Sequence, residues 1–441
     1  MGGLIRGKLD NEWVLTTRRW TLMAWYFLAS GLILGGQWAY EELGWGGFWA
    51  WDPVENAALM PWLTGTAFLH SVMIQEKRNM LKIWNVVLII TTFGLTIIGT
   101  FLTRSGIINS VHSFTQSEIG PAFLIYLALI LIAGFALLFK RIQMLESEYK
   151  IESVLCRENV FLAQNILLVG IAFTVLLGTT FPLLAEAVRG TKLSIQAPFF
   201  NTITAPMGYA LLVLMGIGML ISWRRSSLDN LRRNFQNPLI IASIGTIILV
   251  WLLFDKSLQW GVYIIFWATI FVTSTILLEI VKASQIKARQ TESNILMGLF
   301  YVILRNRRRY GGLMIHFGVV LMFLGFAGTF FSLEKDLTLE AGESRIIGNY
   351  RLEFQNVNEF MVGNARHRAA IISVYDSENN FLETLKPAKS FYPTQPQPLT
   401  EVAIRRTFLE DLYLIFSSEN ANEKDSQTIR LLKKTHNECD S

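Results

Sequence analysis

Two of the five histidines in this sequence lie inside long apolar segments, where they could ligate a metal. His70 and His316 fall in different segments, each about four or five residues from the end that the charge pattern places inside. Ionisable residues within a membrane are rare, usually face the bundle interior and mark function. Two imidazoles at matching depth could therefore ligate one haem iron from opposite sides. Alternatively, each histidine could simply hydrogen-bond a neighbouring helix.

A second candidate is residues 45–56, which we call the Trp-rich loop because three tryptophans fall within seven residues. Tryptophan also gathers at membrane interfaces, but an interfacial belt does not crowd one short loop in this way. Neighbouring glycines allow the backbone to approach a flat ligand. Asp52 before Pro53 predicts a helix start, with Asp52 as the N-cap. The predicted haem-contacting residues are Trp45, Trp49, Trp51, Asp52 and Glu55.

A loop after the third apolar segment adds two candidates on the same predicted side of the membrane. His112 could ligate the iron of a haem held there, although alone it would be a solvated surface residue. Arg104 could pair with a haem propionate, because guanidinium matches carboxylate geometry, or it could anchor the helix at the interface. His367 and His436 have no companion at ligand spacing and are interpreted as surface residues.

Composition shows which elements must position these residues. The chain is 52% hydrophobic and 17% charged, against about 25% charged for soluble domains, which indicates a polytopic α-helical membrane protein. Nine segments are long enough to span a bilayer. They are residues 20–40, 57–74, 84–103, 121–139, 160–184, 207–223, 238–254, 260–281 and 311–331.

Charge placement predicts the topology. With the N-terminus inside, the inner segments hold 22 Lys and Arg, and the outer loops hold 4. Positive residues favour the cytoplasmic side. The Trp-rich loop and the loop of His112 are therefore predicted to face outward, and the clusters such as residues 305–309 are most simply topology anchors.

The chain after residue 331 changes character. Short alternating runs between turn signals, such as residues 350–354 and 370–375, predict strands. We therefore expect a membrane bundle over residues 1–331 and a small β-rich outer domain over residues 332–441. The last fifteen residues are polar and are expected to be frayed. Two distant cysteines exclude a disulfide scaffold and a CxxC motif, and no phosphate-binding or HExxH motif occurs.

The Trp-rich loop resembles the tryptophan-rich WWD signature of haem-handling proteins in cytochrome c maturation. Within that group the chain resembles the CcmF family, the haem lyase component. Supporting motifs are Phe68-Leu-His-Ser71, Gly99-Thr-Phe-Leu-Thr-Arg-Ser-Gly106, Gly311-Gly-Leu-Met-Ile-His-Phe-Gly318 and Lys389-Ser-Phe-Tyr-Pro393. The similarity extends over most of the chain, from about residue 9 to about residue 417.

The resemblance implies specific roles. His70 and His316 match the transmembrane ligands of a b-type haem, and His112 matches one of two outer ligands of the delivered haem. That haem would arrive on the chaperone CcmE and be joined to CxxCH cysteines of an apocytochrome c handled by CcmH and CcmI. The b-type haem would reduce the delivered haem. The family has further N-terminal helices, with the other outer histidine, and a last C-terminal helix, so this chain is expected to lack both.

We therefore predict a haem lyase component of cytochrome c maturation in the bacterial inner membrane, contacting lipid and no nucleic acid. One alternative is a haem transporter. It would need a polar path through the helix bundle, and no predicted span carries acidic residues that form such a path. Another is a truncated or split subunit that acts only with partner chains.

Overall fold

The computed structural model describes residues 2–7, 11–105, 119–147, 149, 151–191, 193, 195–253, 260–393, 398–407, 410–417 and 426–434. Eleven α-helices occur within these ranges. They are α1 (Gly2–Arg6), α2 (Asn11–Glu42), α3 (Pro53–Arg78), α4 (Lys82–Ser105), α5 (Gly120–Lys140), α6 (Arg157–Arg189), α7 (Ala197–Leu220), α8 (Leu228–Leu253), α9 (Trp260–Gln290), α10 (Ile295–Arg305) and α11 (Arg307–Gly328). Single 3₁₀ turns follow α5 (Ile142–Leu145) and α11 (Thr329–Phe331).

Eight of these helices are long and apolar enough to cross a membrane: α3 to α9, and α11 with its 3₁₀ turn. This fits a multi-pass membrane protein. The prediction of about nine membrane helices is met by eight such helices among the described residues. The first predicted span, residues 20–40, does lie in a long helix, α2. Tryptophans, tyrosines, glycines and a glutamine dilute its apolar character below that of the other eight.

The described chain separates into two compact units. The first contains Met1–Leu32, Trp51–Leu249 and Tyr263–Phe323, and the second contains Ile33–Ala50, Val250–Val262 and Leu324–Ser441. The Trp-rich loop is therefore divided, with residues 45–50 in the second unit and residues 51–56 in the first.

Helix α3 is the most enclosed of the membrane helices in the first unit. It packs against α4 and α6 through buried side chains such as Met60, Phe68 and Leu88. Its start is fixed locally: Asp52 accepts a hydrogen bond from the Val54 amide at 2.9 Å, and Glu55 completes a capping box. The prediction of Asp52 as N-cap is confirmed.

The second unit contains a β-sandwich. One sheet has the order β1-β10-β9-β8, and the other has β2-β3-β4-β6-β7, with β5 also paired to β4. The strands are β1 (Ser332–Glu340), β2 (Ser344–Ile347), β3 (Tyr350–Val362), β4 (Ala365–Tyr375), β5 (Phe381–Leu385), β6 (Ala388–Phe391), β7 (Leu399–Glu401), β8 (Ala403–Arg406), β9 (Asp411–Phe416) and β10 (Ser426–Lys434).

The core of this sandwich follows the period-two pattern of strands. Leu352 and Phe354 on β3, Ile372 on β4, and Leu412 and Leu414 on β9 are all fully buried in one cluster. The predicted strands at residues 350–354 and 370–375 lie in β3 and β4.

Two parts of the fold differ from expectation. The expected frayed end was wrong for residues 427–434, which lie in β10 (Ser426–Lys434) between β1 and β9. The inner segment before the last span contains α10, an 11-residue apolar helix that begins at the N-cap Asn294. Neither β10 nor α10 contains an apolar run long enough to span a bilayer, so the search for spans did not mark them.

Candidate haem site

The structure brings the two membrane histidines together. The ring centroids of His70 on α3 and His316 on α11 lie 6.2 Å apart, and the ring planes differ by 19°. Phe161 on α6 stacks on His70 at 5.6 Å and 5°. Three helices distant in sequence therefore place two imidazoles and a phenyl ring in series within the first unit.

The arrangement has the dimensions of two imidazoles that share one metal. Metal–imidazole nitrogen bonds of about 2.0–2.1 Å place the two ring centroids roughly 6 Å apart when the rings lie on opposite sides of the ion. Nδ1 of each ring is buried and has no partner with hydrogen-bond geometry among the described residues. The His316 ring also lies near the backbone of Gly312, one helical turn earlier. As whole residues, His70 and His316 are partly exposed.

The donor set indicates what kind of metal group fits. Among the described residues, no group of three or more His, Cys, Asp or Glu side chains could hold a metal ion. A bare ion would therefore be underligated by His70 and His316 alone. A porphyrin would bring nitrogen donors of its own, so its iron would need only the two imidazoles of His70 and His316 from the protein.

Polar contacts fix α3, and with it His70, against α6. Near the start of α3, the Asn56 side chain donates to the Trp51 carbonyl at 2.9 Å and to the Thr179 hydroxyl at 3.0 Å. At its other end, the Arg78 guanidinium lies 3.2 Å from the buried Glu158 carboxylate. Because the two contacts lie at opposite ends of α3, they set its register against α6.

The part of the Trp-rich loop in the first unit is held by α7. Trp51 has a positive φ of 60°, a conformation that bulky residues rarely adopt. Its indole stacks on Phe200 at 4.9 Å and 12°, and its Nε1 donates to the Asn201 side chain at 2.8 Å. These contacts keep the strained residue in place.

The part of the loop in the second unit is held by the β-sandwich and the end of α2. Phe48 stacks on Tyr40 at 4.3 Å, and Tyr40 packs against Tyr413 of β9 and donates to Asp411 at 2.9 Å. Gly44 has a φ of +66°, and a Cβ there would lie 2.7 Å from a methyl carbon of Thr400. Trp45 and Trp49 belong to this half and are partly buried.

The remaining predicted residues stand as follows. Arg104 is exposed in the last turn of α4, in the first unit. Asp52 and Glu55 serve the capping box of α3. His112 lies outside the described residues. His367 was interpreted as a surface residue, but it is 8% exposed and lies 2.7 Å from the hydroxyl of Ser390.

Sequence reasoning missed the aromatic residues that support the site. Phe161 and Phe200 are ordinary apolar residues of long helical segments, and nothing in their local sequence distinguishes them. Asn201 lies in the predicted outer loop before the sixth span, and its polar side chain was the one local feature that could have indicated a contact.

Comparison with known proteins agrees with this architecture. A family model described as "Cytochrome C assembly protein" matches residues 4–108. A second, described as "CcmF C-terminal beta-sandwich", matches residues 330–435, which cover the strands of the second unit. The chain is therefore similar to cytochrome c assembly proteins at its N-terminal helices and to the CcmF C-terminal domain at its β-sandwich.

Relatives identify the family more closely. The cytochrome c-type biogenesis protein CcmF of Pseudomonas fluorescens is 35% identical over 416 residues, which are 94% of this chain and 61% of the relative. That of Escherichia coli (strain K12) is 35% identical over 432 residues, 96% of this chain and 63% of the relative. Over nearly its whole length, this chain is therefore similar to CcmF proteins.

A solved structure described as "Cytochrome c Heme Lyase CcmF" has the same fold. It superposes with a TM-score of 0.76 at 30% identity, covering 98% of this chain and 64% of that protein. The chain thus spans somewhat under two thirds of the length of the relatives and of the solved structure that it matches.

Proposed function

We propose that this chain holds a b-type haem between His70 and His316 and acts in attaching a second, delivered haem to c-type cytochromes. The observation that carries the proposal is the pair of imidazoles 6.2 Å apart on two membrane helices. When bound, the resident haem would supply an iron that accepts and donates single electrons. His70 and His316 would ligate it, and Phe161 would pack against the outer face of the His70 ring.

The Trp-rich loop is proposed to present the delivered haem, which is the substrate. Trp45, Trp49 and Trp51 offer flat aromatic surfaces, and the outer-side assignment follows from the Lys and Arg distribution. His112 is proposed as an iron ligand of this haem, and Arg104 as a partner of its propionates. The thiols that react would belong to the CxxCH motif of the apocytochrome c.

The proposed setting follows the family. The haem would arrive on the chaperone CcmE, and the apocytochrome would be handled by CcmH and CcmI, at the outer face of a bacterial inner membrane. His70 and His316 would hold the resident haem where it could supply a one-electron reductant for the delivered haem. In this proposal, the described residues hold the haem on packed helices, and the nucleophile is the thiol of the apocytochrome c.

Reduced-minus-oxidised absorption spectra of the purified protein test the proposal. The wild type should show a low-spin b-type spectrum, and both His70→Ala and His316→Ala should lose it. His367→Ala, which removes a histidine of the β-sandwich, is the matched control and should retain it. A b-type spectrum that survives in both membrane-histidine variants would refute the ligand assignment.

A further inference from the structure

Two cations lie on one tryptophan at the basic end of the helices that carry the histidine pair. The Lys77 ammonium lies 4.7 Å from the centroid of the Trp223 ring, and the Arg157 guanidinium lies 5.5 Å from it. Arg157 is held there by hydrogen bonds to the carbonyls of Met219 at 3.0 Å and Ile221 at 2.9 Å. We call Lys77 and Arg157 the cation pair.

Neither member of the cation pair has a carboxylate within salt-bridge distance among the residues that the structure describes. Nearby acids are engaged by other arginines: Glu76 pairs with Arg308 at 2.8 Å, and Glu279 pairs with Arg309 at 2.6 Å. Two like charges on one ring repel each other. Arg157 is also the first residue of α6, where the helix dipole disfavours a cation and favours an anion. The arrangement is therefore one that a bound anion would stabilise.

The cation pair is aligned with the histidine pair. Lys77 lies seven residues beyond His70 on α3, which places it on the same helix face about 10 Å along the axis. On α6, Arg157 lies one turn from Phe161, the residue that stacks on His70. Phe161 in turn meets the Trp223 ring edge-on at 5.9 Å.

Helix α11 also carries a cation two turns from its histidine. Arg309 lies seven residues before His316 on α11, again about two turns toward the basic end. Arg157 is an electrostatic neighbour of Arg309, and so is Lys77. Three helices thus place positive charge on one side of the histidine pair, and on α3 and α11 the charge lies two helical turns from the histidine.

We propose that the cation pair binds the propionate carboxylates of the haem held by His70 and His316. The proposal rests on the proposed function, because it assumes a haem between these histidines. It adds an orientation: the propionate edge faces the basic end of α3, α6 and α11, and the vinyl edge faces away. Guanidinium and ammonium groups bind carboxylates through charge-assisted hydrogen bonds, which are stronger than neutral ones.

The test compares two ligands that differ only at the propionates. Full-length protein produced without haem is titrated with iron protoporphyrin and with its dimethyl ester, and binding is followed by the Soret band. The wild type should bind the free acid about tenfold to a hundredfold more tightly than the ester. Lys77→Gln, at an exposed position, should reduce this preference, and the double variant with Arg157→Gln should abolish it.

Arg232→Gln, which removes an exposed arginine on the same basic side, is the matched control and should keep the full preference. Equal affinity of the wild type for both porphyrins would overturn the propionate assignment while leaving the histidine ligands intact. Failure to bind either porphyrin would overturn the proposed function itself. A double variant that retains the acid preference but loses copurified anionic phospholipid would show that the cation pair is a lipid site, and would also overturn the assignment.

Discussion

Gly44→Ala should distort the half of the Trp-rich loop that the second unit holds. Gly44 has a φ of +66°, and an added Cβ would lie 2.7 Å from Cγ2 and 3.2 Å from Cβ of Thr400. A left-handed backbone costs a non-glycine residue about 1–2 kcal/mol. Forcing a methyl group into a filled site costs about 1–3 kcal/mol. The two effects together predict a destabilisation of about 2–5 kcal/mol.

Limited proteolysis of the purified protein measures this effect. Cleavage of a transiently opened region follows the population of the open form, and about 1.4 kcal/mol corresponds to a tenfold change. Cleavage within the second unit should therefore accelerate about thirtyfold or more. Gly35→Ala is the matched control, because no atom lies within 4 Å of a Cβ there, and it should be neutral or slightly protective.

A second substitution separates the two causes. Thr400→Ser removes the methyl carbon that lies closest to the added Cβ. The double variant of Gly44→Ala with Thr400→Ser should therefore lose the destabilisation caused by the steric contact and keep the destabilisation caused by the left-handed backbone. Equal cleavage rates for Gly44→Ala and Gly35→Ala would show that neither the positive φ of Gly44 nor its contact with Thr400 limits substitution there.

Three further predictions concern stability, each followed by intrinsic fluorescence during unfolding. Asp52→Ala should lower the stability of the first unit by about 1 kcal/mol through loss of the capping box, whereas Asp52→Asn should retain most of it. Gly178→Ala should cost about 1–3 kcal/mol, because its Cβ would lie 2.5 Å from the Phe200 ring that supports Trp51; an unchanged transition would contradict that packing. Burial raises the pKa of the Tyr413 hydroxyl to about 12, above the value of about 10 in an unfolded chain. Its contribution is therefore full below about pH 10 and lost by about pH 12, so Tyr413→Phe should flatten the alkaline decline, and an unaltered pH profile would exclude this cause.

The parts of the fold that could be predicted are those with a strong local signal. Long apolar segments predict membrane helices because a bilayer demands a minimum length, and eight of the nine fall in helices that meet it. The start of α3 was predictable because Asp52 directly precedes Pro53, and Asp52 is the N-cap in the structure. Residues 426–434 look polar and unstructured, yet they form β10 because they complete two ladders with strands distant in sequence.

At the candidate site, too, features with a local signal could be predicted, and features set by helix packing could not. The pairing of His70 with His316 could be anticipated because ionisable residues in membrane helices have few other roles. The stacking of Phe161 on His70 and the meeting of two cations on Trp223 depend on helix packing that leaves no mark in local sequence. The division of the Trp-rich loop between two units was equally invisible, since its twelve residues are continuous in the chain.

His70 and His316 are proposed to ligate one iron, and a cavity variant at His316 tests this ligation. His316→Gly removes the imidazole and leaves a space that added imidazole can enter. The purified variant should lose the low-spin b-type spectrum and regain it when millimolar imidazole is supplied. A low-spin spectrum that persists in His316→Gly before imidazole is added would contradict the claim.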